Sequence, residues 1–437
     1  MSAKKTIGLS SVALAVLAGG YFYVIDQSGK QMEAAFSSSV EDISKGLATA
    51  FPDAHFGLLK VEYENTSFTH SEATTRWGDV HSGRTLLTLN HHINHGLVSI
   101  IETVPEMRKG SEFYRAIPAN AVDKTKPLFT INTHIENLTG DTESHIMTQP
   151  INLSKAQSVF RLEALDGLVT TNQEMNVNYA FSNLDMVFSA NSTTGVEMLT
   201  LSSGSFSGDY RSPTEMLMTL KLPEISFRKS GQTLFNLKDF SFVSEVKPDP
   251  GNLSSVLNLN TFTAARVEAP TLMPTLDSTK VGLDIAVPEK LYQLSSGIEA
   301  VEQLTKEELL GLIEKAKDSV FSINLNANSK INVTESISAK AHIRMPIVEQ
   351  ATQILKAGIE NDNPDSFDAA VALILAASDG SVALDIPKNL AYQTGLYHPY
   401  NPQGFEVSST SPDNVTAKVD YKNGQVFLNG KLFQPPK

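Results

Sequence analysis

The chain has 437 residues, 41% hydrophobic and 19% charged, and Lys+Arg 35 against Asp+Glu 48 leave a formal charge of −13. Ordinary hydrophobic content excludes wholesale disorder, the acidic balance argues against a nucleic-acid binder, and the length allows two or three domains or one elongated unit. With no cysteine, disulfides, thiolate metal sites, cysteine nucleophiles and iron–sulfur clusters are excluded.

Lys4 and Lys5 precede an uncharged, largely apolar run from Ile7 to Ile25. At about 1.5 Å per residue a helical run of that length reaches roughly 28 Å, close to a bilayer's hydrocarbon core. The two lysines favour the cytoplasmic side, and Tyr21 and Tyr23 suit the opposite interface. Residues 1–27 are therefore expected to be an uncleaved, single-pass membrane anchor with the N-terminus inside and the body outside. The rival is a cleaved signal peptide ending near Val16-Leu17-Ala18, but the apolar run continues well past it.

Residues 28–52 carry Met32, Phe36, Val40, Ile43, Leu47 and Phe51 at steps of three and four, before Pro52. That spacing predicts an amphipathic helix, packed on the body or used for self-association beside the membrane. From 53 to 250 the dominant period is two. Leu87, Leu89, His91 and Ile93 share one face, as do Val177, Tyr179 and Phe181, and Phe240, Phe242, Ser244 and Val246. Lys247-Pro248-Asp249-Pro250-Gly251-Asn252 has turn composition and marks either a boundary or one long hairpin loop.

Residues 251–437 mix strands with helices, as a second region or a continuation of the first. Phe321 to Val333 alternates apolar and polar residues as a half-buried strand does. Leu291, Leu294, Ile298 and Val301 form a helical stripe, and Thr305 with Glu308 is a capping box ahead of Leu309 and Ile313. Pro346 opens another helix, and Asn363-Pro364 a further one with Phe367, Val371 and Ile374. Asn423-Gly424 between two short runs is a hairpin signal. The expected fold class is α+β: an N-terminal transmembrane helix, a long, mainly antiparallel sheet, and C-terminal helices on one face.

Nucleophile elbow, P-loop, H-E-x-x-H, EF-hand and dinucleotide-binding motifs are all absent. Ser226 to Lys229 satisfies S-x-x-K but lies in an expected strand without the partner motifs such catalysis needs. His91, His92 and His95 are close in sequence, yet a strand turns His91 and His95 one way and His92 the other. They read as a structural patch rather than a zinc site. Trp77 reads as a packing residue, and scattered basic residues give no nucleic-acid surface.

The anchor and amphipathic helix, the Thr66–Thr75 region, His95-Gly96-Leu97 and the closing segments Val415–Gly424 and Leu428–Lys431 occur in a characteristic order. In these features the chain resembles the YdgA family of bacterial envelope proteins, a domain of unknown function. Where the family pattern has proline after His-Gly, Leu97 stands here. The resemblance implies an inner-membrane protein of Gram-negative bacteria with a periplasmic body, and it brings no catalytic residues. The expected function is a non-enzymatic interaction or scaffold role in the envelope, with the lipid bilayer and envelope proteins as partners and no cofactor. The alternative is lipid or apolar-ligand binding along a sheet groove lined by Ile323, Leu325 and Ile331.

Overall fold

The computed structural model describes residues 29–433 except 51–54, 68–69, 97, 137–138, 156, 175, 193–194, 251–254, 272, 290–291, 293–304, 318, 332–334, 362, 364, 399–403 and 410. Two compact units emerge, Met1–Arg211 with Ile225–Gln232, and Ser212–Glu224 with Thr233–Lys437.

Unit 1 begins with helix α1 (Gly29–Ala50), followed by β1 (Phe56–Ser67), β2 (His70–Asp79), β3 (Arg84–Asn94) and β4 (Val98–Pro105). A short helix α2 (Glu112–Ala116), capped by Ser111, leads to β5 (Phe129–Glu136), β6 (Thr142–Thr148), β7 (Ile151–Lys155) and β8 (Ser158–Leu162). Strands β9 (Asp166–Thr171), β10 (Val177–Ser192) and β11 (Gly195–Ser212) complete it. The order in space is β1-β2-β3-β4-β5-β6-β9-β10-β11, all antiparallel, with β8 also on β10 and β7 on β8.

Period-two alternation turns one face of this sheet inward. Trp77, Leu89, Ile93, Ile101, Ile131, Ile135, Ile146 and Val169 are buried there together with Phe36, Val40, Ile43 and Leu47 of α1. Each such side chain contributes about 1.5–3 kcal/mol by leaving water, so the helix is held by its own stripe. Ser44 Oγ adds a tie by accepting from Leu58 N at 2.8 Å. The expected amphipathic helix is present, and its stripe lies against its own sheet.

Unit 2 takes the Glu215–Glu224 part of β12 (Glu215–Lys229), then β13 (Gln232–Pro248), β14 (Ser255–Ala269) and β15 (Met273–Pro288). Helix α3 (Lys306–Ala316) precedes β16 (Val320–Lys330) and β17 (Ser336–Pro346), and α4 (Glu349–Glu360) and α5 (Asp365–Ala377) precede β18 (Asp379–Pro387). The chain ends through α6 (Lys388–Gln393), β19 (Glu406–Val407), β20 (Asn414–Lys422), β21 (Gln425–Leu428) and β22 (Lys431–Leu432). Strands β13 to β18 pair in sequence and β20 follows β18, every pair antiparallel. The Lys247–Asn252 turn segment thus connects two paired strands, β13 and β14. Asn423 and Gly424 both take positive φ (53° and 73°), as the tight β20–β21 hairpin requires.

The expected fold class needs correction. The molecule is 61% strand and 18% helix, an antiparallel-sheet architecture. No helix among the described residues is long and apolar enough to cross a membrane. Helix α1 has the length, but Glu33, Glu41, Asp42 and Lys45 make it amphipathic rather than apolar. The Ile7–Ile25 run lies outside the described residues, as does the Leu291, Leu294, Ile298 and Val301 stripe. A further difference concerns the late helices, which gather on one another. Thr305 and Glu308 form the capping box of α3, and α3 packs on α4 and α4 on α5. Lys317 Nζ reaches Glu349 Oε1 at 2.7 Å, and Lys356 pairs with Glu314. Only α5 of these three makes a substantial contact with the sheet, at β17.

Candidate functional site

The register of β14 to β20 sorts every residue of the unit 2 sheet to one of two faces. Asp284, Asn324, His342, Ser381 and Asp420 stand side by side on one face, a polar row. One residue along each strand, Leu283, Leu325, Ala341, Val382 and Val419 stand side by side on the other. Rows on either side of it hold Ile285, Ile323 and Ile343, and Val281, Ala327, Ala339, Leu384 and Ala417. Phe242 and Phe262 extend the last row onto β13 and β14, stacked with centroids 4.6 Å apart. No titratable group falls in these three rows except Tyr421, beside Gly380 at one end.

Among the described residues this dry face is covered at its ends and open between them. At one end Tyr421 Oη donates to the Leu375 carbonyl of α5 at 3.0 Å. At the other, Ile386 and Val415 are buried with Ala391 of α6 and Phe405. Between these covers Val382 is 51% exposed, Ile343 40%, Val419 39% and Phe262 38%. The result is an aliphatic trough. Exposed apolar area of this continuity marks a binding surface more often than an ordinary exterior.

Of the three residues expected to line a groove, Ile323 and Leu325 sit half-buried in the central rows of this face. Ile331 does not join them. Strand β16 stops at Lys330, and Ile331 turns away with its N–H donating to Glu335 O at 2.9 Å. Val382, Val419 and Phe262 are lining residues that strand periodicity alone did not single out, since alternation tells faces apart but not which face stays open.

His91, His92 and His95 lie in unit 1, with His91 and His92 on opposite sides of its sheet. His91 is fully buried beside Phe36, with ring centroids 5.0 Å apart. Its Nε2 meets Thr75 Oγ1 at 3.0 Å and its Nδ1 meets Thr103 Oγ1 at 2.9 Å. Thr75 also accepts from Trp77 Nε1 at 2.9 Å, so a buried polar chain runs Trp77–Thr75–His91–Thr103. Burial, and secondarily the nearby His92, pushes the His91 imidazole down to about 3. His92 lies on the outer face, where it and His70 both bond to the Glu72 carboxylate. His95 Nε2 meets Ser71 Oγ at 2.7 Å. Among the described residues no three His, Asp or Glu side chains converge as metal ligands. Unit 1 also has an open polar hollow of about 490 Å³, lined by His134, Glu136, Asp141 and Glu143 among others.

Both units are thus built on long antiparallel sheets, that of unit 2 carrying the uncharged trough. The family described as bacterial protein of unknown function (DUF945) matches residues 3–265, more than half of the chain, and the chain belongs to it. That stretch covers unit 1 and ends in β14, so β15 to β20 of the trough lie beyond it. Comparison with curated proteins and with solved structures gives no match.

Proposed function

We propose that this protein is a non-catalytic component of the bacterial envelope, of the YdgA kind, which holds lipid acyl chains or similar apolar chains in the trough of unit 2. The observation that carries this reading is the open aliphatic face centred on Leu325 and Val382. Removing apolar area from water yields about 25 cal/mol per Å², and an alkyl chain asks nothing of the site but such area. The lining is mostly aliphatic and largely small, with Ala327, Ala339, Ala341 and Gly380 leaving room above the sheet and the Phe242–Phe262 pair confined to one side. A protein partner would be met more typically by aromatic and arginine anchors.

The test is displacement of N-phenyl-1-naphthylamine, an apolar dye, from the full chain. Val382→Asp with Val419→Asp should weaken dye binding at least tenfold while shifting the melting temperature little, because both positions are already solvated. Undiminished binding by this double variant would remove the trough as the site. Envelope placement is supported by Lys4 and Lys5 ahead of the apolar run 7–25, which serves here as an export segment. A reporter that folds only after export, fused behind Lys437, should be active; activity of a cytoplasm-only reporter at that position contradicts the placement.

A scaffold role is the second reading. Its support is the outer face of the unit 1 sheet, where Glu72, His92, Glu102, Asn132 and His145 line up across five strands. Such a polar, ion-paired face suits contacts with other envelope proteins.

A further inference from the structure

The trough has a polar interruption on β13 and β14. Ser244 pairs with Asn260, and Val246 with Asn258, placing all four on the dry face in phase with Phe242 and Phe262. Asn260 Nδ2 donates to Asn258 Oδ1 at 2.8 Å. Whichever way the two amides are turned, their mutual bond consumes one donor and one acceptor. An NH₂ group on one and a carbonyl on the other remain, with the Ser244 hydroxyl beside them. These groups are half-buried. Next to Asn260 the apolar row Leu283, Leu325, Ala341, Val382 and Val419 begins. From β14 to β20 that row crosses five strand spacings of about 4.8 Å, roughly 24 Å in all. One acyl chain spans about 15 Å of a bilayer, half of the ~30 Å core, so a full chain fits along the row.

We propose that the Ser244–Asn258–Asn260 notch seats the uncharged carbonyl linkage of an acyl ester or amide, with the chain laid along the Leu283–Val419 row. This rests on the reading that the trough binds apolar chains. The choice of an uncharged linkage follows from the charge on this face. Lys247 and Lys280 fall on the opposite side of the sheet by register, in phase with Glu245 and Thr263. Among the described pairings of β13, β14 and β15, a carboxylate or phosphate desolvated at the notch would therefore have no cation beside it on the same face, a costly arrangement. A carbonyl needs only hydrogen-bond donors, and the amide NH₂ and Ser244 hydroxyl supply them.

Three probes of one chain length decide the matter: dodecane, methyl laurate and laurate, each competing with N-phenyl-1-naphthylamine on the full chain at pH 8. Methyl laurate should bind roughly fivefold more tightly than dodecane, the worth of one net hydrogen bond, and more tightly than laurate. Asn258→Leu with Asn260→Leu should erase the ester's advantage and leave dodecane unchanged, retained dodecane binding being the control for folding. Ser244→Ala, a smaller change, should reduce the advantage in part. Equal affinity for ester and alkane in the unaltered protein, or an advantage that survives the double substitution, overturns the notch while leaving the trough intact. Tighter binding of laurate than of its ester overturns it equally. Failure of the dye and dodecane to bind at all removes both the trough and the notch.

Discussion

Lowering the pH from 7 towards 4 should destabilise unit 1 by several kcal/mol, and His91→Gln should remove most of that loss. The His91 imidazole is neutral in the folded chain because burial holds it down to about 3, against an ordinary value of 6.5. Between those two values the unfolded chain binds a proton that the folded chain does not. Stability from this group is therefore whole above about pH 6.5 and falls as pH drops, down to about pH 3. At about 1.4 kcal/mol per pH unit the full loss is roughly 5 kcal/mol, an upper figure if the sheet relaxes around the charge. Glutamine keeps hydrogen-bonding groups for Thr75 and Thr103 but takes up no proton, so its variant should cost about 1–2 kcal/mol at pH 8 and show a flatter acid slope. The measurement is urea unfolding followed by tryptophan fluorescence. Trp77 is the chain's one tryptophan, 1% exposed and hydrogen-bonded to Thr75, itself a partner of His91. An acid slope unchanged by His91→Gln would locate the sensitivity elsewhere.

Local order was well written in the residues. The α1 stripe, the alternation of β16, the α3 capping box and the Asn423-Gly424 hairpin each depend on neighbours within one or two turns or strands, and periodicity reports such neighbours directly. Partner choice is a different matter. The stripes of α3, α4 and α5 were expected to cover the sheet, yet they bury largely against one another, and α5 still leaves Phe367 64% and Leu375 49% exposed. An amphipathic stripe states that a helix has an apolar side without naming the surface that meets it. The same limit hid the trough: Phe321 to Lys330 alternates identically whether its dry face is capped or open. Ile331 continues that alternation in sequence, but β16 ends at Lys330 and Ile331 N–H donates to Glu335 O instead of to a neighbouring strand. The Asn258–Asn260 notch was legible only as polar residues in phase with Phe262, a pattern that means little until the register puts it beside an aliphatic row.

One charge placed on three apolar or polar strand positions should separate core from trough. Ile131 in β5 is 0% exposed, at the centre of the unit 1 face beneath α1. Ile131→Asp buries a carboxylate with no cation, or forces it to remain protonated, and should cost at least about 4 kcal/mol and unfold unit 1 at ordinary temperature. Leu325 in β16 has the same parity and a face just as dry by composition. It is only half-buried, so a carboxylate there can turn towards water, and Leu325→Asp should cost about 1–2 kcal/mol, mostly lost packing. Asn326 lies on the polar face, and Asn326→Asp should stay within about 0.5 kcal/mol of the unaltered chain. Thermal melts by circular dichroism give the order of the three, and dye binding gives the contrast that matters. Leu325→Asp should abolish uptake of N-phenyl-1-naphthylamine in a chain that still melts cooperatively, whereas Asn326→Asp should bind it normally. If Leu325→Asp instead proved as destabilising as Ile131→Asp, the face would be a closed core in solution. Stability and binding would then fail together at Leu325, and only an open trough lets them come apart.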